Sequence, residues 1–261
     1  MKSGRYAFPG LSPRFIPVWR RNLLVWRKLA VPSILGNFAD PLIYMLGLGY
    51  GLGALLPDVG GVPYITFLAA GTVCFSTMNS ATFEALYSGF SRMQMQRTWE
   101  AIMNAPLTLD DVALAEILWA ATKSFLSGLA ILIVIWVLGL STSFLSLWIL
   151  AVVPLIGLAF AALALSITAL ARSYDFFMYY FTLVVTPMAM LCGVFFPTSQ
   201  LPAPLQTFSA LLPLTHATEL VRPLLLGEIP DAPVTNVLVL LAYALAGFYV
   251  AVILFRRRFL D

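Results

Sequence analysis

Four ionisable side chains lie within or beside long apolar stretches of the sequence: Asp40, Glu84, Glu116 and Lys123. A charge in apolar surroundings is costly unless it is paired or hydrated, so such residues often mark a functional site. Glu116 and Lys123 are seven residues apart and would share one face of a helix. Glu84 and Glu116 lie near the ends of their apolar stretches, where a side chain could reach water. Two roles for these charges therefore remain as alternatives: structural ion pairing and a role in transport.

The sequence lacks the residue sets that catalyse reactions or hold cofactors. No G-x-x-x-x-G-K-[ST] motif for binding ATP phosphates occurs. The stretch "GLGYGLGALL" (47–56) superficially matches a dinucleotide-binding pattern, but no predicted strand precedes it. The single histidine has no readable catalytic partners, and Cys74 and Cys192 lie in apolar runs without metal-ligand spacing. We therefore expect no catalytic residue, no metal and no cofactor bound by this chain.

Composition indicates that lipid surrounds most of the chain. Of its 261 residues, 61% are hydrophobic and only 10% are charged, against roughly 25% charged in an ordinary soluble domain. A soluble domain of this size could not hide so much apolar surface.

Six apolar windows reach the ~20 residues that a helix needs to cross the hydrocarbon layer. They are residues 33–56, 62–87, 112–139, 147–171, 175–197 and 234–255. The predicted fold is an all-α membrane protein with six transmembrane helices in one domain (1–261), with spans one to five within 33–197 and span six plus a tail within 234–261. Every lysine and arginine except Lys123 and Arg222 precedes the first span, follows the last, or lies in the second or fourth loop. The positive-inside rule then places both termini in the cytoplasm.

Residues 1–30 contain an amphipathic helix pattern. Its apolar face is formed by Phe15, Trp19, Leu23, Trp26 and Leu29, and its basic face by Arg20, Arg21, Arg27 and Lys28. Such a helix is expected to lie in the cytoplasmic headgroup layer. The alternative is a solvated basic tail.

The second loop, "SRMQMQRTWEAIMNAPLTLDD", alternates polar and apolar side chains. The polar set is Arg92, Gln94, Gln96, Arg97 and Glu100, and the apolar set is Met93, Met95, Trp99, Ile102 and Met103. Methionine and tryptophan are favoured at docking surfaces, so this pattern predicts a short helix that binds a partner. A helix that touches only lipid is the alternative. Thr108 to Asp111 resembles a capping box at the start of the third span.

Residues 198–233 lie outside in this topology and contain two half-length apolar helices, Leu205–Leu212 and Thr215–Leu226, joined at Pro213. They predict a re-entrant hairpin between spans five and six, or a helix pair lying flat on the outer leaflet. Thr215 would cap the second helix. His216, Glu219 and Arg222 would follow along one side, with a Glu219–Arg222 pair forming an outer gate and His216 contacting a partner subunit or water.

Four segments resemble the ABC-2 type permeases of ABC transporters. They are "NFADPLIYMLGLGYGLG" (37–53), "YITFLAAGTV" (64–73), "MQMQRTWEAIMNAPLT" (93–108) and the run from "GVFFPTSQLPAPLQ" to "LLPLTHATELVRPLLLG" (193–227). Within that family the chain is similar to the nodulation-protein-J permeases, which work with an ATPase subunit in exporting lipo-chito-oligosaccharides. The resemblance covers nearly the whole chain.

The resemblance implies a bacterial inner-membrane exporter that forms a dimer, taken here as a homodimer, with ATP and Mg bound by separate ATPase subunits. It implies that residues 91–105 are the ATPase-coupling helix, carrying Arg92, Gln94, Gln96, Arg97, Trp99 and Glu100. Membrane lipid and a glycolipid or oligosaccharide are the other expected partners; nucleic acid is not. The alternatives are a drug or antibiotic exporter and, in another class, an ATPase-independent channel or membrane assembly factor.

A glycolipid cargo gives the aromatic residues of the fifth span a candidate role. Tyr174, Phe177, Tyr179 and Tyr180 could line its path, since aromatic rings stack on sugars and tolerate acyl chains. The alternative is an aromatic belt at the interface combined with ordinary packing.

Overall fold

The computed structural model describes residues 6–56 and 58–260, without the side chains of Ile34, Asn37, Phe38, Asp40, Pro41 and Leu260. The described chain is mostly helical. Its helices are α1 (Phe15–Arg27), α2 (Ala30–Gly51), α3 (Tyr64–Phe83), α4 (Thr98–Met103), α5 (Leu109–Val137), α6 (Ile149–Leu170), α7 (Asp175–Tyr180), α8 (Thr186–Leu191), α9 (Ala203–Ser209), α10 (Pro213–Leu226) and α11 (Pro233–Leu260).

Among the described residues, three helices are long and apolar enough to cross a membrane. They are Leu109–Val137, Phe144–Leu170 (a 3₁₀ turn that leads into α6) and Pro233–Phe259. Two shorter apolar helices, Leu42–Gly51 and Asp175–Leu191, fall in the first and fifth predicted windows. These findings support a membrane protein, and the count of six spans stays a prediction.

α6 lies at the centre of the bundle and packs against α3, α5, α10 and α11. Glycines allow this close packing. A Cβ added to Gly157 of α6 would collide with Ser124 Oγ and lie 3.2 Å from Ala121 Cα, both in α5. A Cβ on Gly247 of α11 would lie 3.0 Å from the Ala162 backbone. Small residues that let helix backbones approach closely are typical of packing in membranes, where lipid removes the hydrophobic drive between helices.

The two ends of the bundle are identified by contacts between distant segments. At one end, named here the Asp110 end, Asp110 at the start of α5 pairs with Arg256 near the end of α11. At the other, the Gly227 end, Ser141 beyond α5 donates to the Leu225 carbonyl of α10 at 2.6 Å. The described residues 7–12 lie at the Asp110 end, since Arg256 donates to the Ala7 carbonyl and Asp110 accepts from the Gly10 amide. The two described ends of the chain therefore lie together.

The predicted capping box is confirmed. Thr108 is the N-cap of α5: its side chain accepts from the Asp111 amide at 3.2 Å, and the Asp111 carboxylate accepts from the Thr108 amide at 3.0 Å. This reciprocal pair satisfies two donors that a helix start would otherwise leave without partners.

One short segment departs from the predicted all-α fold. Asp58–Val59 and Val62–Pro63 pair as antiparallel strands. Gly60 and Gly61 join them with φ of 65° and 83°, the two positive angles that a tight type I′ hairpin needs and that glycine adopts without strain.

The fifth predicted span is shorter than expected and changes helical pitch along its length. α7 and α8 are separated by a π-helical segment, Phe181–Val185, and the helix ends at Leu191 rather than near residue 197. Pro187 stands in the first turn of α8. It has no N–H to donate to a carbonyl of the preceding turn, and a local change of helical pitch accommodates that loss.

The outer segment forms two helices, with boundaries that differ from the prediction. α9 ends at Ser209 and α10 begins at Pro213, which supplies the preset φ favoured at a first helical position. Thr215 does not cap α10, whose N-cap is Leu212. Its hydroxyl instead donates to the Ser209 carbonyl at 2.6 Å and ties α10 to α9. Whether the pair enters the bilayer stays a prediction.

We expect Gly157→Ala to lower thermal stability in detergent, because the added methyl group must push α5 away from α6. Overpacking of this kind costs ~1–3 kcal/mol. Gly89→Ala is the matched control: this glycine is also buried, yet its added Cβ would meet neighbours only at 3.7 Å. An equal melting temperature for both variants would contradict the close α5–α6 contact.

Candidate functional site

A cluster of buried charges lies near the Asp110 end. The Arg92 guanidinium faces two carboxylates: its Nε lies 3.0 Å from both Glu116 oxygens, and its Nη1 donates to Glu84 Oε1 at 2.9 Å. Lys123 Nζ donates to Glu84 Oε2 at 2.8 Å. These four residues, Glu84, Arg92, Glu116 and Lys123, are named here the charge cluster.

Neutral donors complete the charge cluster. Trp119 donates to Glu84 at 2.8 Å, and Asn22 of α1 donates to Glu116 at 3.3 Å. Glu84 and Glu116 are only 3% and 2% exposed. Burial alone would lower the pKa of Arg92, but Glu116 and Glu84 raise it overall, so the guanidinium stays charged. The geometry therefore corresponds to the structural-pairing alternative for Glu84, Glu116 and Lys123, and the side chain of Asp40 lies outside the described residues.

Two π-helical segments place these side chains. Glu84–Ser88 continues α3, and Ser91–Met95 follows it. A π-helical turn inserts extra residues and changes the direction of later side chains, and such turns are frequent at functional sites. A cavity of about 240 Å³ lies beside the cluster, lined by Arg21, Trp26, Ser33 and Gln96 together with cluster residues. No group of metal-binding side chains occurs among the described residues.

The predicted coupling segment 91–105 is not one continuous helix. The π-helical segment Ser91–Met95 and α4 are joined through Arg97, which has a left-handed φ of 49°. Gln94, Gln96, Arg97 and Glu100 are exposed. These four exposed polar side chains of the loop are together named here the loop face.

Trp99 is not on the loop face. It is fully buried, with its ring 4.8 Å from Phe255 and 6.2 Å from Phe259 of α11. The alternation of polar and apolar residues predicted Trp99 as part of a surface that docks a partner protein. It could not show that the last helix of the same chain would cover the tryptophan. Trp99 connects the loop to α11.

The three predicted gate residues have separate surroundings. His216 Nδ1 lies 2.8 Å from Asn236 Oδ1 of α11, and its Nε2 lies 3.0 Å from the Ala210 carbonyl. Glu219 is exposed. Arg222 points inward: it donates to the Gly193 carbonyl, and its guanidinium carbon lies 3.8 Å above the Phe67 ring. In the described structure Arg222 therefore holds α10 to α3 and to the Gly193 turn, and the gate role stays a prediction.

The aromatic residues of the fifth span divide into two groups. Phe177 is fully buried, and Tyr174 stacks on Tyr87 at 6.0 Å. This arrangement is packing against the end of α3. Tyr179 is exposed and Tyr180 half-buried. A path for glycolipid along Tyr179 is compatible with this exposure and stays a prediction.

Sequence reasoning missed two groups of residues at this end. The first is Asn22, whose spacing from Trp19 and Trp26 places it on the same face of α1 as these two tryptophans. A polar side chain on an apolar helix face was the signal in the sequence that could have identified it. The second is the set of contacts that joins the N-terminal segment and α11 to the start of α5: Ser12 donates to Asp111 at 2.7 Å, and Asp110 pairs with Arg256. No local pattern indicates contacts between residues so distant in the chain.

Comparison with known proteins gives consistent results. The family profile described as ABC-2 type transporter matches residues 15–226. The chain is 48% identical over 252 residues to nodulation protein J of Bradyrhizobium diazoefficiens, covering 97% of this chain and 96% of that protein. It is 47% identical over 252 residues to nodulation protein J of Rhizobium meliloti, with the same coverage. It is 22% identical over 238 residues to the inner membrane transport permease YadH of Escherichia coli, covering 89% and 90% of the two chains.

We expect Arg92→Met to destabilise the protein strongly, because Glu84 and Glu116 would lose the cation between them. Removing one partner of a buried ion pair costs ~3–5 kcal/mol. Arg92→Lys should recover only part of this, since an ammonium cannot match the fork that contacts both carboxylates. Thermal unfolding in detergent measures both, with the exposed Gln94→Met as control. Wild-type stability of Arg92→Met would show that the cluster does not hold the bundle.

A second comparison concerns the outer segment. Arg222→Leu should lower the melting temperature, since the Gly193 hydrogen bond and the contact with Phe67 are each worth about 1 kcal/mol or more. Glu219→Leu, at an exposed position of the same helix, should change stability by less than ~0.5 kcal/mol. Equal effects of the two changes would argue for a Glu219–Arg222 pair instead.

Proposed function

The chain belongs to the ABC-2 type transporter family, and we propose that it is the permease subunit of an ABC exporter that moves an amphiphilic lipo-oligosaccharide or related glycolipid out across the bacterial inner membrane. The observation that carries this proposal is similarity over nearly the full length to several proteins named nodulation protein J. The family's members are membrane subunits of transporters and not catalysts. Both termini of this chain would lie in the cytoplasm.

ATP hydrolysis would occur on a separate ATPase subunit, which binds ATP and Mg. The chain has no phosphate-binding motif of its own. The loop face is the surface proposed to dock that subunit. It is exposed and polar, and it lies in the loop whose Arg92 belongs to the charge cluster.

Two contacts would carry movement from the ATPase into the membrane helices. Arg92 connects the loop to α3 through Glu84 and to α5 through Glu116. Trp99 connects the loop to α11 through Phe255. A small displacement of a packed, paired segment is transmitted because its neighbours cannot yield independently.

A homodimer is proposed from the apolar surface that this chain leaves uncovered. Large apolar side chains are exposed along α2 and α7, among them Ile43, Tyr44, Tyr50 and Met178. A Cβ on Gly47 or Gly51 would meet nothing within 4 Å, so these glycines serve no close packing inside the described chain. In the proposed homodimer a second copy of the chain covers part of this surface, and the aromatic path borders it.

The function is tested by reconstituting the permease with its ATPase in vesicles. Lipo-oligosaccharides should stimulate ATP hydrolysis and be transported, whereas unrelated drugs should not. Stimulation by drugs alone would favour the drug-exporter alternative. Solute movement by the permease without any ATPase would favour an ATPase-independent channel.

The docking surface is tested by removing charges from the loop face. Arg97→Gln combined with Glu100→Gln should weaken ATPase association about tenfold, as expected for the loss of interface contacts worth ~1.4 kcal/mol. Stability should stay unchanged, because both side chains are exposed. The measurement is co-purification of the ATPase in mild detergent, with Arg20→Gln of α1 as the control for removing an exposed charge outside the loop.

Trp99→Ala should give a different result from the charge changes. Because Trp99 is buried inside this chain, its truncation should cost ~3–5 kcal/mol of stability and reduce ATPase association through loss of the loop's position. A Trp99→Ala protein that keeps wild-type stability and loses only the ATPase would indicate direct contact with the ATPase. Wild-type ATPase association in every loop variant would refute the docking surface.

A further inference from the structure

A basic cavity lies at the Asp110 end, apart from the charge cluster and beside the loop face, since Arg258 of its wall donates to Gln94 at 3.3 Å. Its volume is about 500 Å³, and it is formed where α6 and α11 end. The residues that line it are Ala169, Leu170, Arg172, Leu254, Arg257 and Arg258. Three arginines and no acidic residue are in this set.

The arginines have different roles in the wall of this cavity. Arg258 donates to the carbonyls of Ala169 at 3.0 Å and Ala171 at 2.7 Å. It thereby satisfies the free carbonyls at the end of α6 and offsets the negative end of the helix dipole. Arg172 and Arg257 are exposed, and within the described part of the chain no carboxylate pairs with either of them.

Three guanidinium groups around one cavity create a positive potential that attracts an anion. The guanidinium fork matches the geometry of a phosphate group and can form two parallel hydrogen bonds to it. The remaining wall is apolar, since Leu170 is 53% exposed and Leu254 lies beside it. The cavity therefore combines a phosphate-binding rim with a surface suited to hydrocarbon.

The position of the cavity favours a lipid over a soluble anion. Both lining helices belong to candidate membrane spans, Phe144–Leu170 and Pro233–Phe259, and the cavity lies at their final turns. This is the depth at which apolar helix surface gives way to charge, where the phosphates of a bilayer lie. We propose that Arg172, Arg257 and Arg258 bind the phosphate headgroup of an anionic phospholipid, with its acyl chain against Leu170 and Leu254.

The proposal is tested by native mass spectrometry of the purified, delipidated permease. Dioleoylphosphatidylglycerol should bind about tenfold or more tightly than zwitterionic dioleoylphosphatidylethanolamine, since each basic residue near the surface adds attraction for an anionic lipid. Arg172→Ala combined with Arg257→Ala should remove most of this preference, and Arg258 is kept because it caps α6. Arg257→Ala alone, at an exposed position, should remove part of it and serves if the double variant does not fold.

The matched control is Arg20→Ala combined with Arg27→Ala, which removes two exposed arginines from α1. This control should largely keep the preference for the anionic lipid. An equal loss of preference in the control would show that the lipid is attracted by positive charge in general and would overturn the proposed site. Free glycerol phosphate should not compete at millimolar concentration; competition that depends on Arg172 and Arg257 would assign the cavity to a soluble anion instead. Unchanged lipid preference in the double variant would contradict the proposal, and a loss of ATPase association by that variant in a separate co-purification would then assign the cavity to the ATPase subunit.

Discussion

A single guanidinium between two buried carboxylates constrains much of this structure. Arg92 contacts Glu84, the first residue of the π-helical segment that continues α3, and Glu116 in α5, while Lys123 donates to the second carboxylate oxygen of Glu84. In an apolar bundle, a carboxylate without a partner is far more costly than one in water. The ends of α3 and α5 must therefore stay in register with the loop that carries Arg92, and α1 joins them through Asn22.

This constraint connects the loop that is proposed to dock the ATPase with the helices that would move in response. The loop face is exposed, but the residues on either side of it are anchored inside the bundle, Arg92 in the charge cluster and Trp99 against α11. The left-handed residue Arg97 stands between the two anchors. A polar face held at both ends by buried contacts is suited to passing a displacement to helices that cross the membrane, because densely packed elements move together.

Local chemistry was predictable and long-range contacts were not. The Thr108 capping box and the amphipathic α1 each depend on residues within a few positions of one another. The partners of Trp99 and Arg222 depend on helices far away in the chain. For Arg222, the spacing of three residues favoured Glu219, yet the structure turns the side chain toward Phe67 and Gly193. Spacing along one helix cannot reveal that another helix offers an aromatic face and a free carbonyl.

By itself, the sequence determined that this is a membrane protein of the ABC-2 family, with a basic N-terminal helix and a polar loop before α5. Composition, helical periodicity and short sequence motifs can be read without knowing which helices are neighbours, so they do not depend on how the helices pack. Only the tertiary structure decided which charges meet, since Glu116 and Lys123 share a face of α5 but bind different partners. The tertiary structure also decided that Arg172, Arg257 and Arg258 line one cavity, at the ends of α6 and α11. The physical reason is that such pairings are set by how closely helices approach, and that depends on small residues such as Gly157 and Gly247 meeting the surface of another helix.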